Sequence, residues 1–282
     1  MGKCLLNHSK LSRCYQVAAL LCYLLLSAQW AVARPADQPV TLYLAGNQGS
    51  YEYTKSLMIK ALEAADYRVV IVNVGEDTPM SRMEVMLLRG DISLIILGQT
   101  DQRDRRYLPI PVGMTDGLIG QRILFIPLGQ QARYDKVRNL HDLQQLGVVA
   151  GLGEAWADVA IWAANDLPTA TISGDWKRLY RMLAAGNRQI DYLPRGAQEI
   201  TREWQLYPEL AVEQQLLLRY AQDHILYVSP EKPELHTLLL AVMQQAYAQG
   251  MIRDLVRHHY QAVFEPPISL DQRRVIDLQL AD

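Results

Sequence analysis

The stretch "YRVVIVNVGEDTPMSRMEVMLLRGDISLIILG", Tyr67 to Gly98, decides the fold class. "YRVVIVNV" is a run of β-branched residues and reads as a strand; Met83 to Arg89 reads as a helix, and "DISLIILG" as the next strand. A strand, a helix and a strand in this order form a crossover unit, which predicts strands in one sheet with a helix laid against it. Upstream, "VTLYLA" (Val40 to Ala45) adds a strand, and Leu57, Met58, Ala61, Leu62 and Ala65 recur at helical spacing. The chain is therefore expected to be α/β.

Downstream the rhythm breaks and then resumes. "RDRRY" and the proline-punctuated "LPIPVGMTDG" (Leu108 to Gly117) lead into one continuous strand, "LIGQRILFIPL". A segment of that kind is expected to cross between lobes. A second α/β set follows: the strand "GVVAGLG", a helix carrying Trp156, Val159, Ala160 and Ala163, the strand "TATI", and a helix carrying Trp176, Leu179, Tyr180 and Leu183. In "NRQIDYLPRG" (Asn187 to Gly196), Ile190, Tyr192 and Leu193 suit a strand, while Pro194 cannot donate to a ladder. The backbone is expected to leave the sheet at Pro194 and deliver Arg195 and Gly196 to an end. "HILYVSP" carries the chain back, and two closing helices are predicted on either side of Gly250. The expected division is 38–119 with 224–282 as lobe one and 120–223 as lobe two.

Composition narrows the compartment and the partners. Lys3, Lys10 and Arg13, the apolar run "VAALLCYLLLSA" and the small residues Ala31 and Ala33 read as a secretory signal over residues 1–33, its apolar core of about a dozen residues nearer a signal segment than the roughly 20 of a spanning helix; cleavage after Ala33 is expected, with an uncleaved anchor as the alternative. All three cysteines, Cys4, Cys14 and Cys22, fall within it, so the remainder has no disulfide framework, as suits the periplasm. The 28 Lys and Arg against 30 Asp and Glu give a net charge of −2, with no basic excess for nucleic acid.

Motifs for chemistry are sparse. There is no G-x-S-x-G, H-E-x-x-H or Walker loop, and no cysteine outside the leader. His258 and His259 are adjacent, so on a helix they point about 100° apart and make a poor metal pair. "GLGEAW" (Gly151 to Trp156) lacks the third glycine of a dinucleotide fingerprint, and Glu154 is the wrong charge for a pyrophosphate. It reads instead as a strand-to-helix turn whose N–H groups at Gly153 and Glu154 face a ligand, with Trp156 either stacking on that ligand or packing in the core. No catalytic residue, metal or cofactor is expected.

In this order the parts resemble the family 3 periplasmic solute-binding proteins of ABC importers, which have the two-lobed type II binding-protein fold. Gly98 to Arg105, "GQTDQRDR", is similar to the family's G-M-T-I-T-x-E-R; "VRNLHDLQQLGVVAGLG" stands where S-L-x-D-L-x-G-x-x-V-G-V-x-x-G is usual, and the terminal helix ends in "LVRHHY". The combination of "GLIGQRILFI", "GEAWADV", "MLAAGNRQIDYLPRGAQE" and "ILYVSP" is closer to a divergent branch without an assigned ligand. The resemblance implies two lobes, each a mainly parallel sheet flanked by helices, closing on a small solute and presenting it to an ABC permease or a membrane sensor. It implies that Gln99, Thr100 and Arg105 line the cleft, with Arg105 holding a carboxylate bidentately. Aligning Asp191 with the family's D-A-x-x-x-D puts Gly196 where the ammonium-binding aspartate belongs and Arg195 just before it. The family's aromatic loop is also shortened, leaving Tyr51 and Tyr53 in "GNQGSYEYTKSL" as the aromatic wall. A monomer binding an anionic solute between Arg105 and Arg195 is expected. Two alternatives share the fold: a periplasmic sensor without transport, and a lyase or dehydratase using Glu154, Asp191 or Glu199.

Overall fold

The structure is a computed structural model that describes residues 38–46, 48–186 and 190–280. The leader, its cysteines, and Asn187 to Gln189 of the "NRQIDYLPRG" strand lie outside the described residues. The described residues from Thr41 onward form one compact unit. No helix among the described residues is long and apolar enough to cross a membrane.

The opening stretch folds as it reads. β1 (Val40–Gly46) is followed by α1 (Gln48–Ala64), β2 (Val69–Glu76), α2 (Met80–Arg89) and β3 (Leu94–Gly98). In α2, Met83 and Leu87, four residues apart on one face, are buried, and Gly90 ends the helix at φ 78°, a conformation that glycine adopts without strain. β1 and β2 pair with each other, and Ser93 ties β3 to β1 by donating its N–H to Tyr43 O at 2.7 Å. The short helix α3 (Asp101–Asp104) and β4 (Leu108–Ile110) complete this part. β11 (His224–Val228) lies between β3 and β4, antiparallel to both. Ile95, Leu97, Ile225 and Tyr227 form its core with Met83 and Leu87 of α2.

A second sheet is built around β5 (Gln121–Pro127), whose Ile123 to Ile126 are fully buried. The short helices α4 (Gln131–Tyr134) and α5 (Leu140–Leu146) precede β6 (Ala150–Gly153). α6 (Asp158–Ala164), β7 (Thr169–Ile172), α7 (Arg178–Ala185), β8 (Leu193–Gly196) and α8 (Ala197–Glu203) follow. β9 (Leu210–Val212) and β10 (Leu216–Arg219) close the set. β5 runs antiparallel to β8, β9 and β10, while β6 and β7 are parallel. Pairing is thus mixed, because the strands next to each crossing run back against their neighbours.

After α9 (Pro233–Ala248) and α10 (Met251–His259), the final strand β12 (Arg274–Asp277) pairs in parallel with β10. The sequence groups 224–282 together, but Ile276 and Leu278 are buried in the core of the β5 sheet with Leu124, Ile126 and Trp162. Arg273 pins the segment there. Its buried guanidinium donates to the carbonyls of Ile268, Glu213 and Leu216 at 2.6, 2.5 and 3.1 Å and lies 3.6 Å from the Glu213 carboxylate. Burial pulls its pKa down to about 10, against the attraction of Glu213.

Pro194 does not take the chain out of the sheet, as the sequence suggests. It sits within β8, opposite Leu124 of β5. The neighbour it leaves is β6: Tyr192 O accepts Gly151 N–H at 2.8 Å, and Pro194 has no N–H to continue that ladder. Pairing with β5 persists through Arg195 and Gly196, so the arginine is buried rather than released.

Two chain crossings join the sheets side by side. Tyr220 N–H donates to Gly120 O at 3.0 Å, and a Cβ on Gly120 would lie 2.2 Å from Tyr220 O, so only glycine fits. The Asp223 carboxylate accepts the N–H groups of Thr115, Gly117 and His224 at 3.1, 2.8 and 2.6 Å, together with the Thr115 hydroxyl. One acid thereby fixes both crossings.

Candidate functional site

A cavity of about 460 Å³ lies beside these crossings. Ser50, Tyr53 and Thr54 of α1, His224 of β11, and His259 and Tyr260 at the end of α10 form one side of its lining; Gln198, Glu199, Arg202 and Glu203, all on α8, form another. Thr115 and Ile119, on the first crossing, also line it. The volume is that of a small-molecule site.

Tyr53 organises the aromatic side. It is buried, its hydroxyl donates to Met114 O on the crossing, and its ring centre lies 5.1 Å from His259 and 5.8 Å from Tyr260. Burial pushes its phenol pKa up, and the charges of Tyr260 and Asp223 add to the shift. His224 is held below the usual histidine range by burial; Asp223 works against that shift and Arg103 with it. His259 is lowered too, by burial first and then by Arg202 and His258. Both imidazoles are therefore neutral donor-acceptors near pH 7.

A smaller hollow of about 300 Å³, lined by Arg122, Trp156, Asp158, Trp176 and Arg195, meets the cavity at Glu199. Arg195 is 6% exposed, with its guanidinium 4.4 Å from the Trp176 ring centre and 5.2 Å from that of Trp156. Its Nε and Nη2 donate to the two oxygens of Glu203 at 2.8 and 2.7 Å, and Glu199 lies 3.2 Å away. Burial works against the charge, but the hydrogen bond to Glu203 and the charge of Glu199 outweigh it and push the pKa up. Arg122 is held the same way. It donates to both oxygens of Asp158 at 2.7 and 3.2 Å, and Tyr220 Oη lies 3.2 Å from that carboxylate.

The residues expected from sequence divide between this site and other places. Tyr53 lines the cavity, while Trp156 and Arg195 line the hollow. Gly153 lets Trp156 fold back, since a Cβ there would lie 2.6 Å from the indole nitrogen. Glu154 is exposed and its N–H bonds to Ile172 O, so the turn is spent on β7. Tyr51 lines a different hollow, with Glu52 and Asn73, and carries the Lys55 ammonium 5.9 Å from its ring centre. "GQTDQRDR" is a self-bonded turn. Gln99 donates to Asp104 at 2.9 Å, Thr100 caps Arg103, and Arg103 donates to Gly98 O and Glu84. Arg105 is left exposed outside both hollows.

Of the acids weighed for chemistry, Asp191 is bonded to Arg133 and Val149 N–H, and Glu199 to Arg195 and Gly196 N–H. Among the described residues, no group of three or more His, Cys, Asp and Glu is placed to hold a metal ion. Sequence reading missed His224, Tyr260, Arg202 and Glu203 as lining residues. They come from separate segments and carry no local motif. Arg122 did leave a signal, a charge inside the apolar strand "LIGQRILFIPL".

No model of a protein family matches the chain, and no curated protein sequence does. Solved structures do. The YckB protein of Bacillus subtilis is 11% identical, with a TM-score of 0.50 over 84% of this chain and 95% of its own. An amino acid ABC transporter substrate-binding protein from Streptococcus pneumoniae bound to L-arginine is 10% identical, with a TM-score of 0.48 over 78% of this chain and 94% of its own. An ancestral cyclohexadienyl dehydratase is 13% identical, with a TM-score of 0.47 over 78% of this chain and 92% of its own. The structural neighbours thus include amino acid ABC transporter substrate-binding proteins, at identities where likeness concerns the fold alone. The chain is a mixed α/β protein with the type II periplasmic-binding-protein fold.

Proposed function

We propose that the protein is a periplasmic solute-binding protein, exported by its leader and acting as a monomer, that closes on a small carboxylate-bearing solute. The jaws are 38–119 with most of 224–282, and 120–223 with the final strand. The two crossings, clasped by Asp223 and by the Gly120–Tyr220 contact, are the hinge. The loaded clamshell is presented to an ABC permease or a membrane sensor.

One observation carries this reading: the cavity is lined by α1, β11 and α10 from one jaw and by α8 from the other, so closing brings both sets of residues onto the same solute. Arg202 supplies the charge for a carboxylate, and the neutral imidazoles of His224 and His259 supply hydrogen bonds. Tyr53 and Tyr260 supply apolar surface.

A thermal-shift screen of the purified protein against monocarboxylates, dicarboxylates and amino acids tests it, because a solute that binds only the folded state raises the melting temperature. A hit that weakens sharply in Arg202→Gln is expected. The absence of any hit across these acids contradicts the reading.

A further inference from the structure

Arg195 has the form of a carboxylate site: a buried guanidinium fork set against two tryptophan rings and opening on a hollow beside the cavity. The fork is already filled. Glu203 meets it with both oxygens at 2.7 and 2.8 Å, the bidentate geometry a bound carboxylate would take. Glu203 lines the cavity, whereas Arg195 lines only the adjoining hollow. Glu199, one helical turn earlier, adds a second carboxylate at 3.2 Å and is fixed by accepting Gly196 N–H at 2.9 Å. Arg202 differs: it is exposed on the same helix, lines the cavity, and has no ion pair among the described residues.

We propose that Glu203 is a specificity-determining residue, a built-in carboxylate that closes Arg195 to solutes and leaves Arg202 as the open guanidinium among the described residues that line the cavity. Resting on the carboxylate reading above, this narrows the solute to a monocarboxylate, with dicarboxylates rejected. A second solute carboxylate directed at Arg195 meets Glu203 and Glu199, and like charges at close range disfavour it.

Chemical rescue tests the assignment without the natural solute. Glu203→Ala vacates the fork and leaves the buried cation with Glu199 alone, 3.2 Å away, which lowers the melting temperature. Acetate or propionate at tens of millimolar is expected to restore much of the loss, saturably, where chloride at equal ionic strength does not. Glu213→Ala, which unpairs the buried Arg273 away from both hollows, is expected to show no rescue. In direct titration, the wild type is expected to take propionate at least tenfold more tightly than succinate, and Glu203→Ala to reverse or erase that preference. If Glu203→Ala does not fold, Glu203→Gln is used instead, with at least a tenfold gain in succinate affinity over wild type expected. A folded Glu203→Ala indifferent to acetate, a Glu203→Gln without the gain, or a wild type taking succinate as tightly as propionate overturns the proposal. Because rescue reads Arg195 directly, its failure is distinct from a wild type that binds no acid at Arg202, which defeats the carboxylate reading itself.

Discussion

Arg195 and Arg202 are seven positions apart, and their surroundings give them different work. Arg195 is spent on Glu203, whereas Arg202 faces the cavity. Arg202→Gln is therefore expected to weaken any carboxylate hit by about 10- to 100-fold, the range for losing one charge-assisted hydrogen bond. Calorimetric titration reads it, and unchanged affinity removes Arg202 from the site. Tyr53→Phe deletes the hydroxyl that holds Met114 O and leaves that carbonyl short of a donor. The expected cost is about 1 kcal/mol, or about 2–4 °C in melting temperature.

His224 links the site to pH. Burial lowers its folded-state pKa, so on acidification the unfolded chain takes up a proton near pH 6.5 that the folded protein refuses. Stability is then complete above about pH 6.5 and falls as the pH drops below it. The melting temperature is expected to decline from pH 7 to pH 5, with a shallower slope in His224→Gln. Equal slopes in the two proteins contradict the assignment.

Among the elements, the crossings are the most constrained. A methyl group on Gly120 would stand 2.2 Å from a carbonyl oxygen, a contact that rotating a side chain cannot relieve. Gly120→Ala is expected to cost about 2 kcal/mol or more and to separate the two crossings, read as a lower melting temperature and faster hydrogen exchange at Tyr220 N–H. A melting temperature within a degree of wild type refutes that role. β8 shows where sequence is ambiguous at this scale. Proline marks a lost ladder, but the residue alone does not say on which side, and here the lost side faces β6 while β5 keeps its partner. β12 illustrates a related limit: its apolar residues announce a strand, but its partner, β10, lies about 60 residues earlier.

At the scale of the whole molecule, the α/β order was legible because each helix and strand carries its own period, as Tyr67 to Gly98 does within 32 residues. The site was much less so. Of the residues that the resemblance and the glycine turn pointed to, Tyr53 lines the cavity and Trp156 and Arg195 line the hollow. Arg105 lies exposed outside both hollows, while the fold turns Arg103 of the same run "DQRDRR" inward, to Gly98 and Glu84. His224, Arg202 and Glu203 line one cavity only once the two sheets are folded and joined, a relation that no local spacing encodes.

The central claim is that the cavity between α8 and the α1, β11 and α10 residues is the solute site. A thermal-shift titration of wild type beside Arg202→Gln, with the same set of monocarboxylates, tests it most directly. At least one acid is expected to raise the wild-type melting temperature saturably, with about 10- to 100-fold more of it needed for the same shift in Arg202→Gln. A wild type indifferent to every acid, or a hit equally strong in both proteins, would contradict it.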